Sequence, residues 1–125
     1  MIGEPLGRRH WAIAEGYLPR ESVSQEHALA SHEAACILNA FDEDADIFIT
    51  LFFTGREPCR SYQLIVAARR TLYLRFNDLT DPEPVPRDIS YASVVESSVP
   101  IVVQHTRSDS GNLSITLLST VAFAA

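Results

Sequence analysis

Apolar residues recur at every second position through most of this chain, in short runs separated by turn residues. Alternation of this kind is typical of β-strands that bury one face, and it does not fit the period of an α-helix. Seven or eight such runs at roughly regular spacing predict an all-β protein, an antiparallel two-sheet β-sandwich of the jelly-roll type. The 125 residues suit a single domain over residues 1–125. The predicted strands cover residues 9–16, 31–40, 47–54, 61–68, 69–76, 99–108 and 114–123.

Three segments refine this architecture. Residues 91–98 fit a short strand or a turn equally well. Residues 77–88 carry prolines at alternating positions, which favours an extended loop because proline cannot donate to a central sheet ladder. The strand 47–54 has bulky side chains on both faces. That pattern predicts a central strand, or one covered on both sides, for example by a neighbouring subunit.

The charge balance argues against nucleic acid as the main partner. The formal net charge is −6, and all ten basic residues are arginines. Sequence-independent DNA binding depends on neutralising phosphates, so an acidic chain is a poor candidate for it. A local basic patch formed by Arg69, Arg70 and Arg75 keeps DNA binding open as an unfavoured alternative.

Cysteine content and hydropathy indicate the compartment. Cys36 and Cys59 are too few and too far apart for a disulfide framework or a zinc knuckle, so a reduced, cytoplasmic setting is expected. The N-terminal residues show no apolar segment of the kind that signal peptides carry. The longest apolar stretches, residues 47–53 and 115–125, are too short or too polar to span a bilayer. We therefore expect a soluble, cytoplasmic protein.

The stretch "SVPIVVQHTRSDS" (98–110) begins as a buried strand and ends polar. Alternation places His105 and Arg107 on the same face as Ile101 and Val103. Such a face is expected where a strand leaves the core to line a concave site, or where it reaches a subunit interface. A strand end that simply meets solvent, with a satisfied histidine, explains the same pattern.

Other polar residues extend the candidate site. His32 shares a strand face with Cys36, whereas Glu33 points the opposite way, so the two cannot form one dyad without a bulge. Aromatic side chains with arginine, asparagine and histidine nearby are typical of sugar-binding sites. The rings stack on the C–H faces of the sugar, and the forked donors bind its hydroxyl groups. The candidate ligand-binding residues are Trp11, Glu15, His32, Arg69, Arg75, Asn77, His105 and Arg107.

Catalytic motifs are missing from the sequence. It contains no nucleophile elbow, no phosphate-binding loop and no dinucleotide fingerprint. No metal-binding motif is present, and a metal site built from His10, His32 and His105 would require a proximity that the sequence does not indicate. We therefore expect a protein that is not an enzyme and has no cofactor and no metal.

Five segments carry a collinear family resemblance that covers nearly the whole chain. They are "HWAIAEGY" (10–17), "SHEAACILNAFDEDA" (31–45), "ARRTLYLRFNDLTDPEPVPRD" (68–88), "SVPIVVQHTRSDS" (98–110) and "LLSTVAFA" (117–124). Together they resemble the sensory rhodopsin transducer family.

This resemblance implies a compact β-sandwich that assembles as a homotetramer. It also implies a cytoplasmic signalling role in which the protein contacts the cytoplasmic face of a membrane sensory rhodopsin. The family has further been linked to carbohydrate-binding-like sandwiches and to gene regulation. The alternative function is a β-sandwich module that binds a small sugar-like ligand or a carbohydrate, with or without a gene-regulatory role.

Overall fold

Strands make up nearly all the regular secondary structure of the residues that the structure describes, as the alternation predicts. The computed structural model describes residues 5–19, 32–109 and 116–125, in which helical geometry is confined to one 3₁₀ turn, Phe76–Asp78. The strands are β1 (Arg8–Tyr17), β2 (His32–Asn39), β3 (Ala45–Phe53), β4 (Cys59–Val66), β5 (Arg70–Arg75), β6 (Ser90–Asp109), β7 (Thr116–Val121) and β8 (Phe123–Ala124).

The strands form the two layers of a β-sandwich, and every pairing is antiparallel. Sheet A has the order β4-β3-β6-β1-β8. Sheet B is formed by β5, β2, β6 and β7, since β2 pairs with both β5 and β6, and β6 also pairs with β7. The predicted all-β sandwich is therefore confirmed.

Strand β6 belongs to both layers. Its first half, Tyr91–Ser97, pairs with β3 in sheet A, and its second half, Val102–Ser108, pairs with β2 in sheet B. The stretch that the sequence left open, residues 91–98, is thus part of one 20-residue strand. Pro100 lies where the strand passes between these two pairings, and its missing N–H costs no ladder hydrogen bond there.

The core lies between the layers and uses the inward face of each strand. In β3 the inward residues Ile47, Ile49 and Leu51 are fully buried. On the opposite face Phe48 is 40% and Phe52 is 43% exposed, so the residues that the structure describes leave this face partly open. The strand is central, as predicted, since it lies between β4 and β6.

The inward face of β2 has a polar residue at each end. Glu33, Ala35, Ile37 and Asn39 alternate along it, and all four are fully buried. Asn39 closes the end of the strand, because its Nδ2 donates to the carbonyl oxygens of Glu43 at 2.8 Å and of Val66 at 3.0 Å. The predicted strand start at Arg69 is one residue early, since Arg69 lies in the turn before β5 with φ of 55°.

Strand β1 is irregular near the candidate site. Its register with β6 shifts between Ile13 and Gly16, so simple alternation fails there. A Cβ added to Gly16 would lie 2.4 Å from the Tyr91 ring, so only glycine lets β1 approach this ring so closely. The shift ends the alternation that would have kept Glu15 on the buried face of Trp11 and Ile13, and Glu15 is exposed.

Candidate functional site: a buried carboxylate beside an open cleft

Glu33 is the centre of the polar cluster. Its side chain is only 1% exposed, although it carries a carboxylate. It lies on β2 directly opposite Arg107 of β6, and the next inward residue of β2, Ala35, lies opposite His105. Since directly opposed residues of an antiparallel pair point to the same face, the register brings all three polar side chains together.

Both carboxylate oxygens of Glu33 are occupied. Oε1 lies 2.5 Å from Nε2 of His105, and Oε2 accepts a hydrogen bond from Nε of Arg107 at 2.6 Å. Oε2 also accepts the backbone N–H of Tyr17 at 3.1 Å. The penalty for burying the carboxylate is thereby offset by charge and by hydrogen bonds.

The cluster ties several elements together. The Tyr17 contact links β1 to β2, and the Glu33 backbone N–H donates to Oδ1 of Asn77 in the turn after β5, at 3.2 Å. Arg107 reaches outward as well, because its Nη1 donates to Oε1 of Glu15 at 3.3 Å. We call Glu15, Glu33, His105 and Arg107 the Glu33 cluster.

The surroundings of Arg107 keep its guanidinium charged. Burial works to lower the pKa of Arg107, but the hydrogen bond to Glu33 and the charges of Glu33 and Glu15 raise it more, so the net shift is upward. The guanidinium therefore stays charged at any physiological pH. Nearby, burial raises the pKa of Tyr91 strongly, and the charge of Glu33 adds to this. The Tyr91 hydroxyl is buried and has no hydrogen-bond partner among the described residues.

A cleft of about 460 Å³ opens beside the cluster. Its polar lining comes from Glu15, His105, Arg107 and Thr120. Its walls are mostly apolar and come from β1, from the end of β7 and from β8, with Ile13, Val121 and Phe123 among them. This size and this mixture of apolar walls with a few polar groups are typical of small-molecule sites.

The structure brings together some of the predicted site residues. Glu15, His105 and Arg107 form the cluster, and Asn77 touches it through the Glu33 backbone. The shared face of Ile101, Val103, His105 and Arg107 agrees with the burial pattern, since the first two are fully buried and the last two contact Glu33.

Other predicted residues lie elsewhere. Trp11 is 6% exposed and its Nε1 donates to the carbonyl oxygens of Arg8 and Ile101, so it belongs to the core and offers no open aromatic plate. Arg69 lies in the turn before β5 and pairs with Asp42 at 3.4 Å. Arg75 lies opposite Ala34, on the other face of sheet B from Glu33. His32 is the first residue of β2, and its side chain is outside the described part of the structure.

Sequence reasoning missed Glu33 as a site residue. Alternation had already placed Glu33 on the face of Ala35 and Ile37, and a carboxylate on an apolar face was the available signal. The missing information was the register of β2 against β6, which decides what lies opposite Glu33.

Neither a metal cluster nor a transmembrane helix is found in the described ranges. In residues 5–19, 32–109 and 116–125, no group of three or more histidine, cysteine, aspartate or glutamate side chains could hold a metal ion. Over the same ranges, no helix is long and apolar enough to cross a membrane.

Fold and site together define a small β-sandwich protein in which one long strand belongs to both layers. This strand places His105 and Arg107, the partners of the buried Glu33, beside an open cleft. The family model described as Anabaena sensory rhodopsin transducer matches residues 6–124. The chain belongs to this family, and the resemblance seen in its sequence is confirmed.

Two solved structures are similar to this chain. Anabaena sensory rhodopsin transducer is 55% identical, with a TM-score of 0.77, over 83% of this chain and 90% of that one. A second protein, Thermotoga maritima 1070, is 32% identical, with a TM-score of 0.85, over 96% of this chain and 97% of its own. No curated protein sequence matches this chain. The protein is thus sensory rhodopsin transducer-like.

Proposed function

We propose that this chain is a cytoplasmic adaptor that binds the cytoplasmic face of a membrane sensory rhodopsin and passes its signal onward. The observation that carries the proposal is family membership over residues 6–124, together with 55% identity to a structure named as a sensory rhodopsin transducer. The contact with the rhodopsin, the relay and the cytoplasmic location all belong to the proposal.

The proposed role is not enzymatic, and the chemistry of the cluster supports this. His105 is bound to Glu33, and Glu33 is bound in turn to Arg107. Within the described residues, no hydroxyl or thiol is hydrogen-bonded to His105, so the histidine has no nucleophile to activate there. The arrangement suits recognition and structural support better than bond making.

The adaptor is proposed to work as a homotetramer, which the partly exposed outer face of sheet A supports. Phe48, Phe52 and Ile65 share that face by register, and Ile65 is 64% exposed. Exposed aromatic and aliphatic groups of this kind on one sheet face are typical of protein–protein contacts. A second copy of this chain is the proposed occupant.

The adaptor role is tested with a cognate sensory rhodopsin in lipid nanodiscs. We expect labelled protein to bind the loaded nanodiscs and to change the rate of the rhodopsin photocycle. The control is a nanodisc that holds an unrelated rhodopsin of the same size. Equal signals with both nanodiscs, or no binding and no change of the photocycle, would contradict the proposal.

The tetramer is tested separately by light scattering after size exclusion. Replacing Phe48 and Phe52 by serine removes two exposed rings without touching the core, so we expect smaller species with an unchanged circular dichroism spectrum. Ile89→Ser is the control, since Ile89 is 39% exposed but lies in the loop before β6. If the Phe48→Ser/Phe52→Ser protein keeps the wild-type mass, these two rings do not form the subunit interface, which must then lie on another surface.

A further inference from the structure

The Arg107 guanidinium has two unlike edges at the cleft. Its Nε is bound to Glu33 at 2.6 Å, and that carboxylate is 1% exposed. Its Nη1 is bound to Glu15 at the longer distance of 3.3 Å, and the Glu15 side chain is 78% exposed. Nη2 has no hydrogen-bond partner among the residues that the structure describes. The side of the guanidinium that carries Nε, which we call the inner edge, is therefore fixed by Glu33. The side formed by Nη1 and Nη2, which we call the outer edge, has only the long contact with Glu15.

The burial of the two carboxylates decides which contact can be exchanged. Removing Glu33 from Arg107 would strand a buried charge, which is strongly unfavourable. Glu15 can leave Arg107 and return to water at little cost, because exposed ion pairs contribute little. Another carboxylate that takes its place leaves the charge next to Arg107 unchanged. Glu15 thus occupies the position that an incoming carboxylate would take.

The walls of the cleft indicate what such a carboxylate would carry. Ile13, Val121 and Phe123 line the space next to Arg107, and Val121 and Phe123 are each 71% exposed. A compact apolar group would cover these side chains and remove apolar surface from water. A strongly polar body such as a sugar would leave its hydroxyls against apolar walls.

We propose that the cleft binds a carboxylate with a small apolar body. The two carboxylate oxygens accept forked hydrogen bonds from Nη1 and Nη2 of Arg107 and displace Glu15, while Glu33 holds the inner edge in place. Arginine presents two parallel donors to a planar carboxylate, which makes the outer edge the matching partner. The ligand is a free carboxylic acid or the C-terminal carboxylate of a peptide, which share this chemistry. Binding here does not depend on a rhodopsin.

Calorimetry on the full chain tests the ligand class at constant ionic strength and neutral pH. The probes are 3-methylbutanoate and phenylacetate, each paired with its uncharged amide. We expect the acids to bind about tenfold or more tightly than the amides, because a charge-assisted pair is lost in the amide. Equal affinity for acids and amides, or no heat from the acids up to millimolar concentration, would overturn the proposal. Binding of simple sugars in place of the acids would overturn it as well.

A substitution at Glu15 is the sharpest test, because it should improve binding. Glu15→Gln removes the competing carboxylate, so we expect the acids to bind about threefold more tightly. Glu57→Gln is the matched control, because Glu57 is exposed in the turn between β3 and β4 and should leave the affinity unchanged. Unchanged or weaker binding by Glu15→Gln would show that Glu15 does not occupy the ligand position.

Arg107→Lys provides a second test, since it keeps a positive charge beside Glu33 but removes the fork. We expect affinity for the acids to fall by about tenfold or more while the circular dichroism spectrum stays native. Wild-type affinity in this variant would contradict the forked contact. A peptide that ends in leucine, with a free or an amidated terminus, distinguishes the two sources. Tighter binding of the free-ended peptide than of 3-methylbutanoate assigns the site to peptide ends, and the reverse assigns it to free acids.

Discussion

Each end of β2 buries a polar side chain, and the two side chains have different kinds of hydrogen-bonding partner. Glu33 and Asn39 lie on one inward face, six positions apart, and both are fully buried. Asn39 is satisfied by the backbone, since it donates to the carbonyls of Glu43 and Val66 and accepts from the N–H of Phe41. Glu33 is satisfied mainly by the ionisable side chains of His105 and Arg107.

The two residues therefore have different roles, since Asn39 closes its end of the strand and Glu33 supports a binding site. Backbone partners cannot change charge, so the Asn39 end is fixed once the turns around it form. Side-chain partners carry charge and can reach a second ligand, as Arg107 does with Glu15. Of the two buried polar groups on this face, only Glu33 lies beside residues that line the cleft.

The largest effect is expected from Arg107→Ala. It leaves the buried Glu33 carboxylate without its counter-charge, so the free energy of unfolding should fall by about 3–5 kcal/mol. Urea denaturation measures this loss. Arg69→Ala is the control, because the Arg69–Asp42 pair is 67% and 72% exposed and should contribute no more than about 1 kcal/mol. Similar losses in both variants would mean that burial of Glu33 does not govern the energetics.

Replacing both charges tests the cause of that loss. The double variant Glu33→Leu/Arg107→Leu has no buried charge left unpaired, so most of the stability should return. A double variant as unstable as Arg107→Ala would show that packing at this end depends on the polar groups themselves.

Asn39→Ala is expected to cost less, about 1–3 kcal/mol, because neutral hydrogen bonds to backbone carbonyls are lost and no charge is stranded. Urea denaturation again gives the value. Thr71→Ala serves for comparison, since Thr71 makes one hydrogen bond, to the Ile37 carbonyl, from an exposed position. A loss in Asn39→Ala equal to that in Arg107→Ala would remove the energetic distinction between the two ends of β2.

A pH-dependent effect is expected at the Glu33 end. Burial raises the pKa of Tyr91, so above about pH 10, where an unfolded tyrosine ionises, the folded chain holds a proton that the unfolded chain releases. Stability that is fully present below this pH is therefore lost as the pH rises. Tyr91→Phe should flatten the alkaline decline and change little at neutral pH, because the hydroxyl has no partner among the described residues.

Thermal unfolding at neutral and alkaline pH measures this difference. Tyr73→Phe is the control, because Tyr73 is half exposed whereas Tyr91 is buried. If the two variants decline alike with pH, Tyr91 is not the group that sets the alkaline limit.

The smallest effect is expected from Glu15→Gln. Glu15 is 78% exposed and its contact with Arg107 is long, so stability should change by less than about 1 kcal/mol. A larger loss in urea denaturation would place Glu15 with Glu33 as a structural partner of Arg107, and the distinction between the two edges of Arg107 would then fail.

Alternation in the sequence was enough to predict the sandwich and the inward faces. It placed Ile101, Val103, His105 and Arg107 together, and it put Glu33 with Ala35 and Ile37. It could not assign partners, because the period of two is the same whichever strand lies opposite. The ion pair of Glu33 and Arg107 depends on a contact between residues 74 positions apart.

Alternation in the sequence also could not predict local departures from regular strand geometry. Alternation places Trp11 and Glu15 on one face only while β1 is regular, and the shift between Ile13 and Gly16 separates the buried ring from the exposed carboxylate. Asn39 is the last residue but one of the predicted strand 31–40. Its role depends on carbonyls of the β2–β3 turn and of the end of β4, which come together only after folding.

Because β6 belongs to both layers, it governs how the protein unfolds. Neither sheet can stay folded without β6, since this strand pairs with β1 and β3 in sheet A and with β2 and β7 in sheet B. A half-unfolded sandwich with one intact sheet is therefore not a stable species. The central amides of β6 should exchange with deuterium only through global opening, with the same free energy of opening for both halves of the strand.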